Sequence, residues 1–491
     1  MLSNQKLNNL SIEKTLINCA LFVGTIIAAF YFFKGGNRIL MVSLISLPFA
    51  LMLLSRMDLA FLFGVIADAS EFTLGGINYL YIGTLMQIMV IGSLIIQKAV
   101  LGRKEKYFKN KSLYTLPSLF FIALILSLML ARGAGLRILG SETWGGMVYV
   151  KLIISLSFLM AISEINISKK QINMIMIGTV IMGIIGSISQ RAGFIENLST
   201  LSTIGPESVG SKRLVWLIPF VYAAFPIVLA KKWKIGFFGW LVWLLLMGIM
   251  GLTGFRSKLV GLIMATFIFG FILSRFKLRY IIVSTLVGVF LWIFAIVISP
   301  HVPRGLQRTL SFIPGAYSDV RTGKDALESV EWRVEIWKYC WEKAPEYFWV
   351  GRGSAFNVYD AVGDLRRSDI MEFTPWFAYM TRSYHSGPLT LLIDYGVLGL
   401  IIGSWLLILI LKITVNGAKK ISTYNTIESR FCLALASILI WEIISFYLVY
   451  GQMPKFGRII VAAAVVSVLT NSIVKIYSKK NENQRSKALE I

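Results

Sequence analysis

Along most of the chain, apolar residues come in long blocks separated by short polar segments. The blocks cover 15–33, 39–55, 58–70, 77–97, 113–131, 147–164, 172–189, 214–230, 235–253, 259–274, 280–300, 388–411, 431–450 and 459–474. About 20 apolar residues cross a bilayer as a helix. The pattern therefore predicts an all-α polytopic membrane protein of about 12–14 transmembrane helices. The block at 58–70 is short and holds Asp58 and Asp68, which reads as half of a broken helix. One polar segment is long: 301–387. The reading divides the chain into a helix bundle (1–300), a large outer loop (301–387), C-terminal spans (388–474) and a basic tail (475–491).

Charge orients this map. Lys98, Arg103, Lys104, Lys106, Lys109 and Lys111 form one basic block. Lys231, Lys232 and Lys234 form another, followed by Arg275, Lys277 and Arg279, and then by Lys412, Lys419, Lys420 and Arg430. With 14 spans these blocks, both termini and the basic tail fall on one side, which positive-inside makes the cytoplasm. Residues 301–387 then fall outside, and their eleven Lys+Arg balance eleven Asp+Glu. Ordered loops of this length are usually functional.

Composition adds exclusions. At 56% hydrophobic and 15% charged, the chain is too apolar for a soluble domain. The net charge of +24 would suggest nucleic acid if it lay on one folded face. It lies in blocks between spans instead, so no nucleic-acid partner is expected. Three Cys, two of them within apolar blocks, offer neither a disulfide framework nor a zinc spacing. The first block is long enough to span and no small-residue cleavage site follows it, so it reads as a retained helix. There is no P-loop, nucleotide fingerprint or metal-ligand spacing, and no metal or cofactor is expected.

Three features carry candidate chemistry. The chain has two His, His301 and His385, at the two ends of the long loop. His301 reads as a tolerated amphipathic side chain at a membrane boundary. His385 precedes Ser386-Gly387-Pro388 and a span containing Gly396 and Gly399. On a continuous helix at 100° per residue, these glycines lie about 20° and about 40° to either side of His385. They would leave an open face below it, or else mark a plain packing seam. Arg256, with Lys258 two residues on, sits in a turn with almost no loop. It either snorkels to headgroups or binds phosphate through its planar fork. Arg333 lies in a stretch where Val330, Val334, Trp337 and Trp341 recur at helical spacing. That suits an amphipathic helix at the membrane interface. Arg333 could reach a lipid-linked anion or pair with a loop carboxylate such as Glu335. Arg352, within Gly351-Arg352-Gly353, and Arg382 are further basic candidates in the same loop. Among acids, Glu442 is the clearest intramembrane case, and its simplest role is to partner a cation.

Together these features resemble the O-antigen ligase and polymerase superfamily of bacterial membrane glycosyltransferases. His385-Ser386, nine residues, then Gly396-Val397-Leu398-Gly399 fills every specified position of the ligases' His-Asn/Ser/Gln, nine residues, Gly-x-x-Gly signature. Arg333 looks like the Arg opening the ligases' Arg-x-x-x-Leu element, with Trp337 in place of Leu. Gly254-Phe255-Arg256-Ser257 resembles the family's Arg-bearing turn, from which Phe255 and Ser257 depart. Gly351-Arg352-Gly353 resembles its Gly-x-Gly. The likeness covers about 240–412.

The resemblance implies a GT-C-like helical enzyme of the bacterial inner membrane whose active site faces the periplasm. It implies an undecaprenyl-diphosphate-linked glycan as donor and inversion at the anomeric centre. The acceptor would be lipid A core for a ligase and a second lipid-linked repeat for a polymerase; the His signature leans towards the ligase. His385 would act as general base. Arg256 and Arg333 would neutralise the departing diphosphate, with Lys258, Arg352, Arg382 and Trp337 as substrate contacts. Membrane lipid surrounds all of this. The rival class is a lipid-linked oligosaccharide flippase, but transporters place polar groups near the midplane between repeated halves, and the sequence shows no repeat.

Overall fold

The computed structural model describes Asp58, Phe61, Leu62, Val65 and residues 82–99, 113–135, 145–162, 165–198, 217–230, 236–252, 256–275, 277–302, 306–307, 310–311, 313–355 and 375–489. The spans expected at 15–33 and 39–55 lie outside these residues. Among the described residues there is no strand, as a chain of apolar blocks demands, since a helix satisfies its own backbone in lipid. The helices are α1 (Ile82–Ala99), α2 (Thr115–Arg132), α3 (Met147–Ala161), α4 (Lys169–Leu198), α5 (Ile218–Ala230), α6 (Gly236–Leu252), α7 (Arg256–Leu273) and α8 (Leu278–Ile298). The long loop contributes α9 (Val320–Lys343) and α10 (Pro375–Met380), and α11 (Gly387–Ile421), α12 (Ile427–Leu448) and α13 (Met453–Leu489) complete the chain.

Among the described residues, five segments are long and apolar enough to cross a membrane: α2, α8 continued to His301, α11, α12 and Met453–Ser478 of α13. Shorter apolar helices run over Met147–Ala161, Phe220–Ala230, Leu241–Gly251 and Ser257–Leu273. The protein is an all-α polytopic membrane protein.

The last three helices pack against one another and form the centre. Helices α5 and α7 lie on α12, α2 lies on α11, and α3 lies on α13. One continuous apolar core joins them, with Phe121, Tyr395, Leu407, Phe446 and Phe456 fully buried. By contrast α8 turns nearly all its apolar surface outward, with Leu286 65% and Phe290 66% exposed. That is a lipid-facing helix, since lipid tails solvate such side chains as well as a core does.

The two ends of the bundle differ. Helix α11 runs from the long loop at Gly387 to Lys419 and Lys420. Helix α12 returns, opened by a capping box in which Thr426 accepts from the Ser429 N–H. Beside that cap, buried Glu428 pairs with Lys169 at 3.2 Å and accepts from Tyr477 at 3.1 Å. At the opposite end, α9 lies over α10 and the start of α11. The expected amphipathic helix is present, and its partition is sharp. Ile336 and Cys340 are fully buried in a second small core with Tyr379, Tyr384, Leu389 and Ile393. Val330 and Trp341 stay 54% and 60% exposed.

Candidate functional site

At the loop end, the chain leaves α10, turns through Thr381–Ser386 and enters α11 with Pro388 in its first turn. Pro suits that place because its missing N–H is unpaired there anyway. The turn is strained: Arg382 and His385 have φ of 59° and 55°, a left-handed region unfavourable for side chains with a Cβ. Neighbouring contacts hold it. The Trp337 indole N–H donates to the Tyr384 carbonyl at 2.9 Å. The buried Tyr384 hydroxyl donates to Asp394 Oδ1 at 2.7 Å, one helical stretch further on. Gly387 lies against Phe446 and Gly451, where a Cβ would collide, and Thr390 donates to the Gly451 carbonyl at 3.1 Å. The backbone on both sides of His385 is thereby fixed to α9, α11 and α12.

The His385 ring stands between two aromatic rings, with centroids 5.2 Å from Trp332 and 5.0 Å from Tyr450. Its Nδ1 is buried and makes no hydrogen bond among the described residues. Burial, and then the positive charge of Arg333, depress its pKa to about 4. The imidazole is therefore neutral near pH 7 and able to take a proton. Arg333 makes no ion pair with Glu335 among the described residues, and its Nε is buried without a hydrogen-bond partner.

Tyr450 links His385 to a basic patch. Its hydroxyl donates to Gln452 Oε1 at 2.6 Å, and the charges of Arg458 and Arg333 both reach it. Lys455 Nζ lies 6.0 Å from the Tyr450 ring centroid. It pairs with Glu442 Oε2 at 3.0 Å and donates to Ser445 Oγ at 2.7 Å. Lys258 and Arg458 lie within electrostatic reach of Lys455. Lys258 also stands over the Tyr222 ring at 5.0 Å. Arg256 opens α7, two residues before Lys258; its side chain is outside the described residues.

The other basic candidates are engaged with the protein. Residues Phe348–Ser354 form a strap lying along α11. The Arg352 and Gly353 N–H groups donate to the Ile393 and Asp394 carbonyls, and the Val397 N–H donates to Phe348 O. Arg382 donates to the Gly353 carbonyl at 2.8 Å and the Ala355 carbonyl at 2.8 Å, with Asp394 3.7 Å from its Nε. Arg352 donates to the Tyr379 carbonyl at 2.8 Å and lies over the Tyr379 ring at 4.1 Å. Arg352, Arg382 and Trp337 thus help to build the loop that carries His385. His301 is exposed at the end of α8.

The glycine geometry needs correction. A single helix through His385, Gly396 and Gly399 does not exist. α11 starts after His385, and Gly396 has φ 72° and ψ −176°, a kink inside the helix. A Cβ on Gly396 would strike Trp349 O and Gly351 N, and one on Gly399 would strike Tyr395. The glycines admit the strap and the kink; they do not leave an open face below His385.

Sequence reasoning missed Asp394, Tyr384, Tyr450, Lys455 and Arg458. Asp394 is fully buried within an apolar run, and that placement alone was the available signal. Lys455 and Arg458, one turn apart in Met453-Pro454-Lys455-Phe456-Gly457-Arg458, sit just before an apolar block, where a cation reads as an ordinary flank. The simple role expected for Glu442, partner to a cation, is the one it has. No group of three His, Cys, Asp or Glu among the described residues could hold a metal ion.

Residues 240–403 match the family model described as O-antigen ligase. The match spans Arg256, Lys258, Arg333, Arg352, Arg382, His385, Gly396 and Gly399, and over these residues the chain is similar to that family. It ends before Glu442, Tyr450, Lys455 and Arg458. No curated protein matches the chain.

Proposed function

We propose that this protein, whose residues 240–403 carry the O-antigen ligase pattern, transfers a glycan from undecaprenyl diphosphate to lipid A core at the outer face of the inner membrane. The observation that carries the reading is His385: a neutral imidazole held in a strained turn between Trp332 and Tyr450, with Arg333 beside it.

The chemistry asks for three things. An acceptor hydroxyl must meet the anomeric carbon, its proton must leave, and the departing diphosphate must be neutralised. The acceptor oxygen forms the new bond to the anomeric carbon as the bond from that carbon to the diphosphate oxygen breaks, which inverts the centre. His385 accepts the hydroxyl proton, a role that needs it neutral beforehand. Arg333, with Arg256 and Lys258 across the turn of α7, meets the charge that develops on the leaving diphosphate. Charge stabilisation of this kind is usually the largest catalytic contribution. The donor already carries a good leaving group, so no nucleotide sugar is required.

The test uses purified protein in nanodiscs with a lipid-linked oligosaccharide and EDTA, supplied with lipid A core or with donor alone. Glycan on the core supports the ligase reading, and a ladder from donor alone replaces it with polymerase. His385→Ala should lower transfer by about 10²–10⁴-fold, the usual contribution of a positioned base. Full activity in that variant would remove His385 from the mechanism.

A further inference from the structure

The family match ends at 403, yet the ring that faces His385 comes from beyond it. Tyr450 lies between the imidazole at 5.0 Å and the Lys455 ammonium at 6.0 Å. The ammonium and the imidazole are thus separated by no more than those two distances together. A phosphate chain attached to an anomeric carbon beside His385 could span that gap.

Four cations from three elements gather here: Lys258 from α7, Arg333 from α9, and Lys455 and Arg458 from the start of α13. Like charges in a half-buried place repel one another, and Lys258 and Arg458 both act on Lys455. Glu442 offsets one positive charge through its 3.0 Å pair with Lys455. The Glu442 carboxylate and the Ser445 hydroxyl also fix where the ammonium points. Two of its three N–H donors are so used, and an ammonium has three. Arg333 adds a buried Nε with no hydrogen-bond partner, a donor whose burial is costly unless an acceptor arrives.

We propose that Lys455, oriented by Glu442 and Ser445 and flanked by Lys258 and Arg458, is a further ligand for the donor's diphosphate, acting with Arg333 beside Tyr450. The proposal rests on the transferase reading for the identity of the anion. It extends the binding site from the matched segment into the C-terminal helix. Glu442 is a positioning residue here and touches no substrate. A diphosphate bridging Arg333 and Lys455 would hold the anomeric carbon at the His385 side of Tyr450.

The experiment measures inorganic pyrophosphate binding by calorimetry on the full-length protein in nanodiscs, apart from any transfer assay. Wild type should bind pyrophosphate. Lys455→Met should weaken binding about tenfold or more, the loss of one charge-assisted hydrogen bond. Lys455→Arg should retain it within a few-fold and so controls for folding. Lys338→Met, an exposed lysine on α9, should leave it unchanged and so controls for net charge. Equal binding by Lys455→Met and wild type would overturn the proposal, as would no pyrophosphate binding by wild type. His385→Ala should still bind pyrophosphate while losing transfer. A wild type that binds pyrophosphate through Lys455 but transfers no glycan would leave the anion site standing and sink the transferase reading.

Discussion

At the scale of single residues, His385 sets the clearest expectations. Its pKa lies at about 4 in the folded protein, against 6.5 for an ordinary imidazole, because burial and Arg333 both disfavour the cation. The unfolded chain therefore binds a proton that the folded one refuses in this window. Stability contributed by this site should decline as pH falls from 6.5 towards 4, and His385→Asn should flatten that part of a thermal-melt pH series. For activity, neutral imidazole persists at pH 7. The acid limb of kcat/KM should sit near the free-enzyme pKa of about 4. A bound diphosphate is an anion and raises the pKa, so the limb of kcat should lie higher. Arg333→Gln should move the kcat/KM limb upward by removing a repelling charge. A limb that stays in place would mean Arg333 does not face the imidazole. The residue before His385 matters differently. Tyr384→Phe removes a hydrogen bond to a buried carboxylate and should cost about 1.5–3 kcal/mol of stability. Because Tyr384 fixes the strained turn, kcat should fall in that variant while pyrophosphate affinity stays within a few-fold.

At the scale of elements, the strap against α11 is the joint on which the site depends. Gly351 lies against the backbone of Asp394 and Tyr395, so a Cβ there meets atoms that cannot step aside. Gly351→Ala should lift the strap and lower both melting temperature and transfer. Gly248→Ala offers the contrast. Nothing among the described residues lies within 4 Å of a Cβ there, and alanine in a helix interior gains about 0.5–1 kcal/mol over glycine. It should be neutral or slightly stabilising in the same assays. Equal effects at the two positions would show that the strap is not a tight joint. This joint also marks where the sequence stops being legible. Hydropathy finds α2, α8 and α12 within a few residues, because lipid solvation imposes helix length; it finds the start of α11, whose basic end runs on past the apolar block to Ile421. That α9 is an amphipathic helix was readable too, but its buried side is Ile336 and Cys340, while Val330, Val334 and Trp341 of the expected stripe stay exposed. The kink at Gly396 was not. Counting 100° per residue assumes an unbroken helix, and a glycine with positive φ breaks the count. The partners of Arg352 and Arg382 were not legible for a related reason. The charges of these arginines are visible in sequence, while the loop carbonyls that bind them are created only by tertiary folding.

At the scale of the molecule, the two ends of the bundle carry different chemistry on a shared core. One end holds Lys169 and Glu428 in a pair tying α4 to α12, beside the basic residues Lys419 and Lys420. The other holds His385, Arg333, Tyr450, Lys455 and the aromatic face of α9. A transferase using a lipid-linked donor needs this separation, because the polyprenyl chain stays in the bilayer while sugars and acceptor stay in water. Exposed Trp341 and Trp349, 60% and 74% accessible, would then rest at the outer headgroup level, where amphipathic rings settle. Orientation is the premise of that arrangement, and charge bias predicts it. The three native cysteines (Cys19, Cys340 and Cys432) can be changed to Ser if the protein still folds. In that background Lys338→Cys, exposed on α9, should react with a membrane-impermeant maleimide in intact spheroplasts. Lys419→Cys, exposed at the far end of α11, should react only after permeabilisation. The reverse labelling would put the His385 end in the cytoplasm. It would leave the site intact as chemistry but would require a donor and acceptor that meet on the inner leaflet.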